Sequence, residues 1–484
     1  MTSGAQTLVH PARLRVVAKY LSQLALVLAV LTLVPLGFAL AEGMTALALR
    51  YLALVAALVL VAALGVRVKV TEHVQPNEAL VIVALAFTLS PLLMSWPLAA
   101  AGIPFVDALF EAVSGITTTG LTTLVSLEDK PASFLFARAW MQWYGGLGIV
   151  VLSVALLMGH TLAGRRLAGP TGSEGIVASA RTHARRMFTV YASLTVVGIA
   201  LLWLLSGDGL LAVTHALAAV STGGFSALEG SLADFPNWPL RYAVIALAFA
   251  GAIPLPLYYR LRQHGLGALR DPELYALLIC TTAVAGWLWL TLTPVPGQSS
   301  LAHAILLGAS AQTTAGFSSL DVAELGNDSK AILILAMFVG GGLGSTAGGV
   351  KLLRLLILLR VLHVLLQRAG LPPHAVLEPR LGGRMIERDD IERALMIVLL
   401  FIAVIVLSWL AFVAHGYPPF DALFEVVSAT GTVGLSAGIT SAELPALLKM
   451  ILCFDMLLGR LEIVALLVVL YPRTWIGKRA PSSP

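Results

Sequence analysis

Charge is scarce in this sequence, since 12% of its 484 residues are Asp, Glu, Lys or Arg while 58% are hydrophobic. Roughly 25% of residues are charged in an average soluble domain. The chain therefore has too little polar surface to coat a water-soluble globule, and lipid must be the solvent for most of its length.

Other absences narrow the function. The two cysteines, Cys280 and Cys453, lie inside apolar stretches, so we expect inert thiols and no disulfide framework. The sequence has no His-Glu-x-x-His pattern, and its ten histidines lie mostly in loops, so we do not expect an enzyme. The net charge of +5 comes from residues scattered between apolar spans, without a continuous basic face. This distribution argues against nucleic-acid binding.

The sequence is rich in apolar windows that can cross a hydrocarbon core of about 30 Å. The first is longer than the apolar core of a signal peptide, so we expect a retained helix. The windows are 20–41, 46–65, 79–99, 133–159, 188–206, 242–258, 274–293, 331–364, 394–414 and 446–471. We therefore predict ten full spans.

Lys and Arg are distributed unequally between the loops. Of the 31 such residues, 24 lie in alternate loops starting with residues 1–19, four in the opposite loops and three within spans. By the positive-inside rule this places both termini in the cytoplasm. An even number of spans agrees with that topology.

Four loops on the non-cytoplasmic side share the motif Thr-x-Gly, followed by Leu or Phe and then Ser or Thr. Each copy follows a stretch of about 12 residues, which is too short to span and suits a re-entrant helix. About 0.1 copy is expected by chance at average residue usage, so four copies are an internal repeat. The copies begin Thr118, Thr119, Gly120; Thr222, Gly223, Gly224; Thr314, Ala315, Gly316; and Thr432, Val433, Gly434.

This repeat suits a ring of oxygen ligands around a dehydrated cation. K⁺ exchanges its hydration shell for such a ring, which backbone carbonyls supply in selectivity filters. Turning successive carbonyls toward one axis forces some residues to positive φ, which glycine tolerates. The preceding short helix also points its negative C-terminal end at the pore centre. Close packing of transmembrane helices is the alternative role for small residues, but it does not explain four copies in register.

The first and fourth copies share acidic residues upstream of their glycines. These are Asp107 and Glu111 in the first copy, and Asp421 and Glu425 in the fourth. They could attract cations at the outer mouth. Equally, the two aspartates could cap the N-termini of the short helices, and the sequence leaves both roles open.

Glycine is concentrated in the window 331–364, at Gly340, Gly341, Gly342, Gly344, Gly348 and Gly349. Such a run breaks a helix and is tolerated at membrane depth only where it faces a water-filled cavity. The run also matches nucleotide-binding loops, but those need a soluble βαβ unit, so we expect no nucleotide on this chain. Lys351 follows the run and could contact an acid or extend to the interface.

Arg460 is a charged residue inside the last apolar window. A charge at mid-membrane costs about 2.5–3.5 kcal/mol on insertion scales, which makes Arg460 a functional candidate. A structural pair with Glu462 or Asp455 is the alternative, and the two roles are compatible.

At its four motif loops, over roughly residues 70–472, the chain resembles the Trk, Ktr and HKT superfamily of potassium transporters. The two helices that precede the first motif unit favour the ten-span, bacterial TrkH-like type over the eight-span Ktr type. Another Trk-like pattern comprises Arg138, Gln142, Trp143, Gly145, Gly146 and Gly148.

The resemblance implies a K⁺ uptake subunit of the bacterial inner membrane, with K⁺ as the transported ion. Gly120, Gly224, Gly316 and Gly434 would be the filter glycines, and glycine at the first of them favours K⁺ over Na⁺. The glycine-rich segment with Lys351 would be an intramembrane gate, and Arg460 would temper cation passage. Family members form homodimers and are regulated by a cytosolic, TrkA-like ring of nucleotide-binding subunits.

We therefore predict an all-α polytopic membrane protein with four helix–pore-loop–helix units in a pseudo-fourfold arrangement, after an N-terminal helix pair. The predicted units are the helix pair 1–70, unit one 71–165, unit two 166–265, unit three 266–370 with the gate, and unit four 371–484. The arginine-rich loops 160–187 and 351–393 would dock the cytosolic partner, or would only enforce topology and contact anionic lipid. A secondary transporter coupled to H⁺ or Na⁺ is the alternative function.

Overall fold

The chain is described by a computed structural model, and the described part is mostly helical with almost no strand, as predicted. Its one β-hairpin pairs β1 (Arg380–Leu381) antiparallel with β2 (Arg384–Met385). Both cysteines are free thiols. The described residues are 11–70, 74–157, 176–292, 299–370, 372 and 377–476, with side chains except at 151–157 and 176–181.

The N-terminal pair and the first two units alternate long apolar helices with short ones. The pair is α1 (Leu14–Ala41) and α2 (Thr45–Val66). Unit one is α3 (Pro76–Leu98), α4 (Phe105–Ile116) and α5 (Ala132–Leu157). Unit two is α6 (Ile176–Ser206), α7 (Gly209–Val220), α8 (Trp238–Ala252) and α9 (Leu255–His264).

Units three and four repeat this order, but their last helices are broken. Unit three is α10 (Pro272–Thr291), α11 (Ser300–Gln312), α12 (Asn327–Val339) and α13 (Leu352–Arg368). Unit four is α14 (Arg388–Ala414), α15 (Pro419–Thr430), α16 (Ala446–Arg460) and α17 (Val464–Leu470). Short 3₁₀ turns are Ala99–Ala101, Ser231–Asp234, Gly265–Leu269 and Pro472–Thr474.

Every predicted window contains helix, but not every one of the ten predicted spans is an unbroken helix. Among the described residues, six helices are unbroken and apolar enough to cross a membrane, and a bent pair makes seven. The bend of 82° separates Trp238–Ala252 from Leu255–Leu269, because Pro254 precedes α9 and cannot continue the helix. The windows 331–364 and 446–471 are also interrupted, at residues 340–351 and 461–463.

The four units close into a ring through the short helices, which we call pore helices (α4, α7, α11 and α15). The last helix of each unit packs against the pore helix of the next: α5 against α7, α8 against α11, and α12 against α15. The contact between α16 and α4 returns from unit four to unit one. This cyclic packing is the pseudo-fourfold arrangement that the repeat predicted.

The N-terminal pair packs on the outside of unit one. In the turn between α1 and α2, Glu42 accepts hydrogen bonds of 2.8 Å from the backbone N–H groups of Ala132 and Ser133 at the start of α5. Further along α5, Phe136 stacks on Phe38 of α1 with ring centroids 4.5 Å apart. The pair is therefore fixed to one side of the ring and adds no fifth pore helix.

Candidate ion-conduction site

All four pore helices end in the same turn, with the motif threonine in the left-handed region. The φ values are 54° for Thr118, 52° for Thr222, 56° for Thr314 and 50° for Thr432. The N–H of the next residue donates to the carbonyl five residues earlier, at 2.8–2.9 Å in all four copies. This pattern is a Schellman motif, in which glycine is the usual left-handed residue.

A β-branched residue in this conformation is strained by about 1–3 kcal/mol. The same strain occurs in all four copies, so the threonine side chain must serve something that glycine could not. The motif glycines also adopt positive φ, as the sequence predicted, with φ of 95°, 77°, 71° and 99° at Gly120, Gly224, Gly316 and Gly434.

Each motif glycine touches the loop of the next unit. A Cβ on Gly120 would overlap the carbonyl oxygen of Gly223, and a Cβ on Gly224 would overlap that of Ala315. Continuing around, Gly316 meets the carbonyl oxygen of Val433, and Gly434 meets that of Thr119. The four loops therefore form one closed ring in chain order, with no room for side chains at the glycine positions.

A second layer of polar side chains holds the ring in place. Glu111, His215 and Glu425 occupy equivalent positions, nine residues before their glycines. Glu111 and Glu425 accept hydrogen bonds from Thr122 and Ser436, at 2.6 and 2.8 Å. His215 Nε2 lies 3.0 Å from the hydroxyl of Ser226, which is the equivalent contact in unit two. In unit three, Leu307 takes this position.

The Trk-like pattern in α5 supports the second loop from behind. The side-chain amide of Gln142 donates to the Gly223 carbonyl and accepts the Phe225 N–H at 3.1 Å. The guanidinium of Arg138 donates to Glu111 at 2.8 Å and lies 3.9 Å from the Phe225 ring centroid. Both residues of α5 thus link unit one to the loop of unit two.

The prediction that the two aspartates cap the pore helices is wrong. The N-cap residues of α4 and α15 are Pro104 and Pro418, and the aspartates lie in the first turn. Asp107 instead pairs with Lys449 of α16 at 2.5 Å, and Asp421 pairs with Lys330 of α12 at 2.8 Å. Each pair joins the last helix of one unit to the pore helix of the next.

We expect Lys449→Met to lower the thermal unfolding temperature of the detergent-purified protein strongly. The Lys449–Asp107 pair is largely buried, with side-chain exposures of 5% and 11%. Removing one partner of a buried pair costs about 3–5 kcal/mol, because the remaining charge is uncompensated. As a matched control, Arg388→Gln breaks the Arg388–Glu392 pair, whose side chains are 90% and 61% exposed. The control should cost less than about 1 kcal/mol, and equal shifts in the two variants would contradict the structural role of Lys449.

Glu229 of unit two binds the loop of unit one. Its carboxylate accepts hydrogen bonds from the Ser126 hydroxyl at 2.7 Å and the Leu127 N–H at 3.1 Å. These bonds lower the pKa of Glu229 below its usual value. The stabilisation is present at neutral pH and is lost as the pH falls through the lowered pKa.

The glycine-rich segment, residues 340–351, is a buried, non-helical loop between α12 and α13. Its two ends lie side by side: a Cβ on Gly349 would be 2.8 Å from the Cα of Gly340. Backbone hydrogen bonds close its base, from the Val350 N–H to Phe338 at 2.9 Å and from the Lys351 N–H to Val339 at 3.0 Å. The segment is therefore a loop pinched off from a broken helix.

This loop contacts the inner ends of three pore helices. Its Thr346 hydroxyl lies 3.1 Å from the Val220 carbonyl at the end of α7. The Gly349 N–H donates to the Gly431 carbonyl at 3.0 Å, just after α15. The amide of Gln312, the last residue of α11, donates to the Gly340 carbonyl at 2.7 Å. The loop thus lies directly against the C-terminal ends of α7, α11 and α15.

The loop also engages two of the four motif threonines. The Gly348 N–H donates to the Thr314 hydroxyl at 2.7 Å, and the Thr222 and Thr346 hydroxyls are 3.4 Å apart. By contrast, the hydroxyls of Thr118 and Thr432 are buried and have no hydrogen-bond partner among the described residues. The loop therefore makes the four motif threonines unequal.

Arg460 contacts the loop rather than an acid. Its Nη1 donates to the Thr346 carbonyl at 2.7 Å, while Nε and Nη2 are buried without partners in the described part of the chain. The alternative pair with Glu462 or Asp455 is wrong, because Glu462 pairs with Arg354 and Asp455 accepts from Ser408. Helix α16 thus presents one guanidinium to the glycine-rich loop.

Lys351 makes neither of the contacts that the sequence suggested. Its side chain is buried, so it does not extend to an interface, and its ammonium group donates to the Ala347 carbonyl within the loop. Within the described ranges, no acid lies within ion-pair distance of it. Lys351 therefore ties the loop to itself.

The ring offers ligand atoms that suit an alkali cation rather than a transition metal. Within the described residues, no three His, Cys, Asp or Glu side chains are grouped as a metal site requires. The ring offers carbonyl oxygens and threonine hydroxyls, which are the hard, neutral ligands that K⁺ filters use. The arrangement can therefore dehydrate and pass a monovalent cation.

Comparison with known proteins agrees with this geometry. A family model described as "TrkH: Cation transport protein" matches residues 51–474. The chain is 30% identical to the "Trk system potassium uptake protein TrkH" of Escherichia coli K12, over 83% of this chain and 87% of that protein. The protein of the same name from Halomonas elongata is 31% identical, over 84% and 87% of the two chains. These names describe ion transport rather than an enzymatic reaction, as the sequence predicted.

A solved structure is also similar over nearly the whole chain. The crystal structure of the potassium transporter TrkH from Vibrio parahaemolyticus superposes with a TM-score of 0.84 at 26% identity, covering 96% of this chain and 100% of that one. The fold is therefore that of a helical membrane transporter. Since the family model spans most of the sequence, the chain belongs to the TrkH family of cation transport proteins.

Proposed function

We propose that this chain takes up K⁺ through the ring formed by its four motif loops. The closed sequence of contacts, in which each motif glycine touches the carbonyl of the next loop, carries this proposal. A ring of backbone oxygens can replace the hydration shell of K⁺. The relatives named for potassium uptake support the choice of K⁺.

Conduction would run along the ring axis and past the glycine-rich loop. Three pore-helix C-termini, with their negative dipole ends, meet at this loop and favour a cation there. The buried guanidinium of Arg460, which donates to the Thr346 carbonyl of the loop, would oppose the cation there. In the proposed mechanism the glycine-rich loop is the gate, and the charge of Arg460 raises the energy barrier to K⁺ beneath the ring.

The proposed location is the bacterial inner membrane, with both termini in the cytoplasm. The distribution of Lys and Arg between alternate loops supports this orientation. The unit boundaries predicted from the sequence remain a proposal, and the boundary between residues 165 and 166 lies outside the described residues.

We also propose a homodimer regulated by a cytosolic, TrkA-like nucleotide-binding ring. The relatives are named as proteins of a "Trk system", which supports the presence of further components. Residues 160–175 of the first proposed docking loop lie outside the described residues, whereas most of the second loop is described and includes the β-hairpin of β1 and β2. No nucleotide is proposed for this chain itself.

Expression in cells stripped of their own K⁺ uptake should restore growth at low external K⁺. The reason is that a dehydrating ring of neutral oxygens favours K⁺ over the more strongly hydrated Na⁺. Purified protein in liposomes should pass K⁺ down its gradient, whether or not H⁺ or Na⁺ gradients are imposed. K⁺ flux that requires such a gradient would favour the coupled-transporter alternative, and correctly inserted protein without any K⁺ flux would contradict the proposal.

A further inference from the structure

A groove of about 550 Å³ lies between α6 and α9, away from the ring. One end is basic, with Arg185 and Arg186 on α6 and Arg262 on α9. The Arg186 guanidinium lies over the ring of Tyr259, 4.3 Å from its centroid. Within the described residues, none of the three arginines pairs with an acid, so the groove presents three uncompensated positive charges.

The other end of the groove is apolar and follows the length of α6. Val190, Leu194 and Val197 line this wall, and Val197 is 62% exposed. The three residues lie on one face of the helix because they are spaced by three or four positions. Since α6 crosses the membrane, this wall faces the depth of the acyl chains.

Helix α9 has the composition and direction of a segment that lies among phospholipid headgroups. It turns by 82° from the crossing helix α8 and carries Tyr258, Tyr259 and Arg262 beside exposed leucines such as Leu266. Tyrosine and arginine next to apolar residues are typical of interfacial segments. With the proposed orientation, these headgroups are those of the cytoplasmic leaflet.

We propose that this groove binds an anionic phospholipid, with the phosphate at the three arginines and one acyl chain along Val190, Leu194 and Val197. Basic pockets between transmembrane helices on the cytoplasmic side bind such headgroups. A free phosphate would use only the basic end and would leave the apolar wall uncovered. The assignment of the groove to the cytoplasmic leaflet rests on the proposed orientation. Lipid binding itself does not depend on K⁺ conduction.

The groove is directly connected to the glycine-rich loop. The N–H of Leu255, the first residue of α9, donates to the Gly344 carbonyl at 3.1 Å. At the end of α8, the Ala252 carbonyl accepts from the Gly342 N–H at 3.2 Å. A lipid that holds α9 against α6 therefore steadies the backbone to which the loop is bonded.

The test measures the thermal unfolding of the purified full-length protein with added lipid. Phosphatidylglycerol should raise the unfolding temperature, whereas phosphatidylcholine and inorganic phosphate should not. The triple variant Arg185→Gln, Arg186→Gln, Arg262→Gln should weaken phosphatidylglycerol binding about 100-fold, at about five-fold per arginine. The matched control Arg270→Gln, Arg393→Gln, Arg473→Gln removes the same charge from exposed positions and should bind as the parent does.

Equal lipid binding by the triple variant and its control would overturn the proposal. Protection by inorganic phosphate to the same extent would also overturn it, in favour of a simple anion site. If the triple variant does not fold, the single variant Arg185→Gln, at an exposed position, should still bind phosphatidylglycerol about five-fold more weakly. Since the readout is lipid binding, a failure here is distinguishable from a failure of K⁺ conduction.

Discussion

Gly120→Ser is expected to lower the preference for K⁺ over Na⁺ by about ten-fold or more, which corresponds to at least 1.4 kcal/mol. The new Cβ would overlap the Gly223 carbonyl oxygen, which must move away from its place in the ring. Serine also resists the φ of 95° at this position. A displaced carbonyl and an added hydroxyl both favour the smaller ion. The measurement is the ratio of K⁺ to Na⁺ flux into liposomes.

Gly102→Ser is the matched control for this experiment. Gly102 also has a left-handed φ, of 79°, but no described atom lies within 4 Å of its Cβ position. The Gly102→Ser substitution therefore introduces similar backbone strain without touching the ring. The ratio of K⁺ to Na⁺ flux in this variant should equal that of the parent. An unchanged ratio in Gly120→Ser, at normal protein levels, would remove Gly120 from the proposed filter.

The repeat made the motif glycines and the pseudo-fourfold ring predictable from sequence. Four copies of one pattern, all in loops on the same side of the predicted membrane, indicate one symmetric structure. The glycine in each copy marked a position that needs positive φ. The left-handed threonines were not predictable in this way. A β-branched residue such as threonine rarely adopts a left-handed backbone conformation. Only the contacts of the folded ring make this backbone strain tolerable.

The roles of the acidic residues needed the structure because their partners are distant in sequence. Asp107 and Lys449 are separated by 342 positions, and no local pattern connects them. The local role that the sequence left open, an N-terminal cap, is wrong for both aspartates. The sequence signal for these pairs was a lysine in the first turn of the last apolar helix in units three and four, at Lys330 and Lys449. Each of these lysines precedes an apolar run.

The broken helices were only partly predictable. The glycine-rich segment marked the break in unit three. The bend at Pro254 in unit two was missed, because the window 242–258 was predicted as one full span. In unit four the break follows Arg460, where Glu462 and Ile463 have φ of 53° and 62° without any glycine. Tertiary contacts, including the Glu462–Arg354 pair, hold this second break, so helix propensity alone could not reveal it.

Deletion of residues 341–348 is expected to raise K⁺ flux by about ten-fold or more. The loop is held against the pore helices by several hydrogen bonds, and the loss of two, at about 1 kcal/mol each, shifts an equilibrium by more than ten-fold. The deletion should be tolerated, because Gly340 and Gly349 already lie side by side. Flux into liposomes at equal protein density is the measurement.

The deletion also tests whether the loop acts on the ring as well as on the path beneath it. Without the Gly348 N–H, the Thr314 hydroxyl would be as free as those of Thr118 and Thr432. The Thr222 hydroxyl would lose Thr346 and keep its bond to the Ser221 carbonyl. Higher flux with unchanged K⁺/Na⁺ selectivity would fit a loop that blocks the path, because the proposed filter is formed by the four motif loops. The point variant Gly348→Ala, whose Cβ would overlap the Gly431 carbonyl oxygen, should act in the same direction but less strongly. If the deletion variant folds and conducts at the parental rate, the segment is only a flexible break in a helix, and the barrier to K⁺ must lie at Arg460 alone.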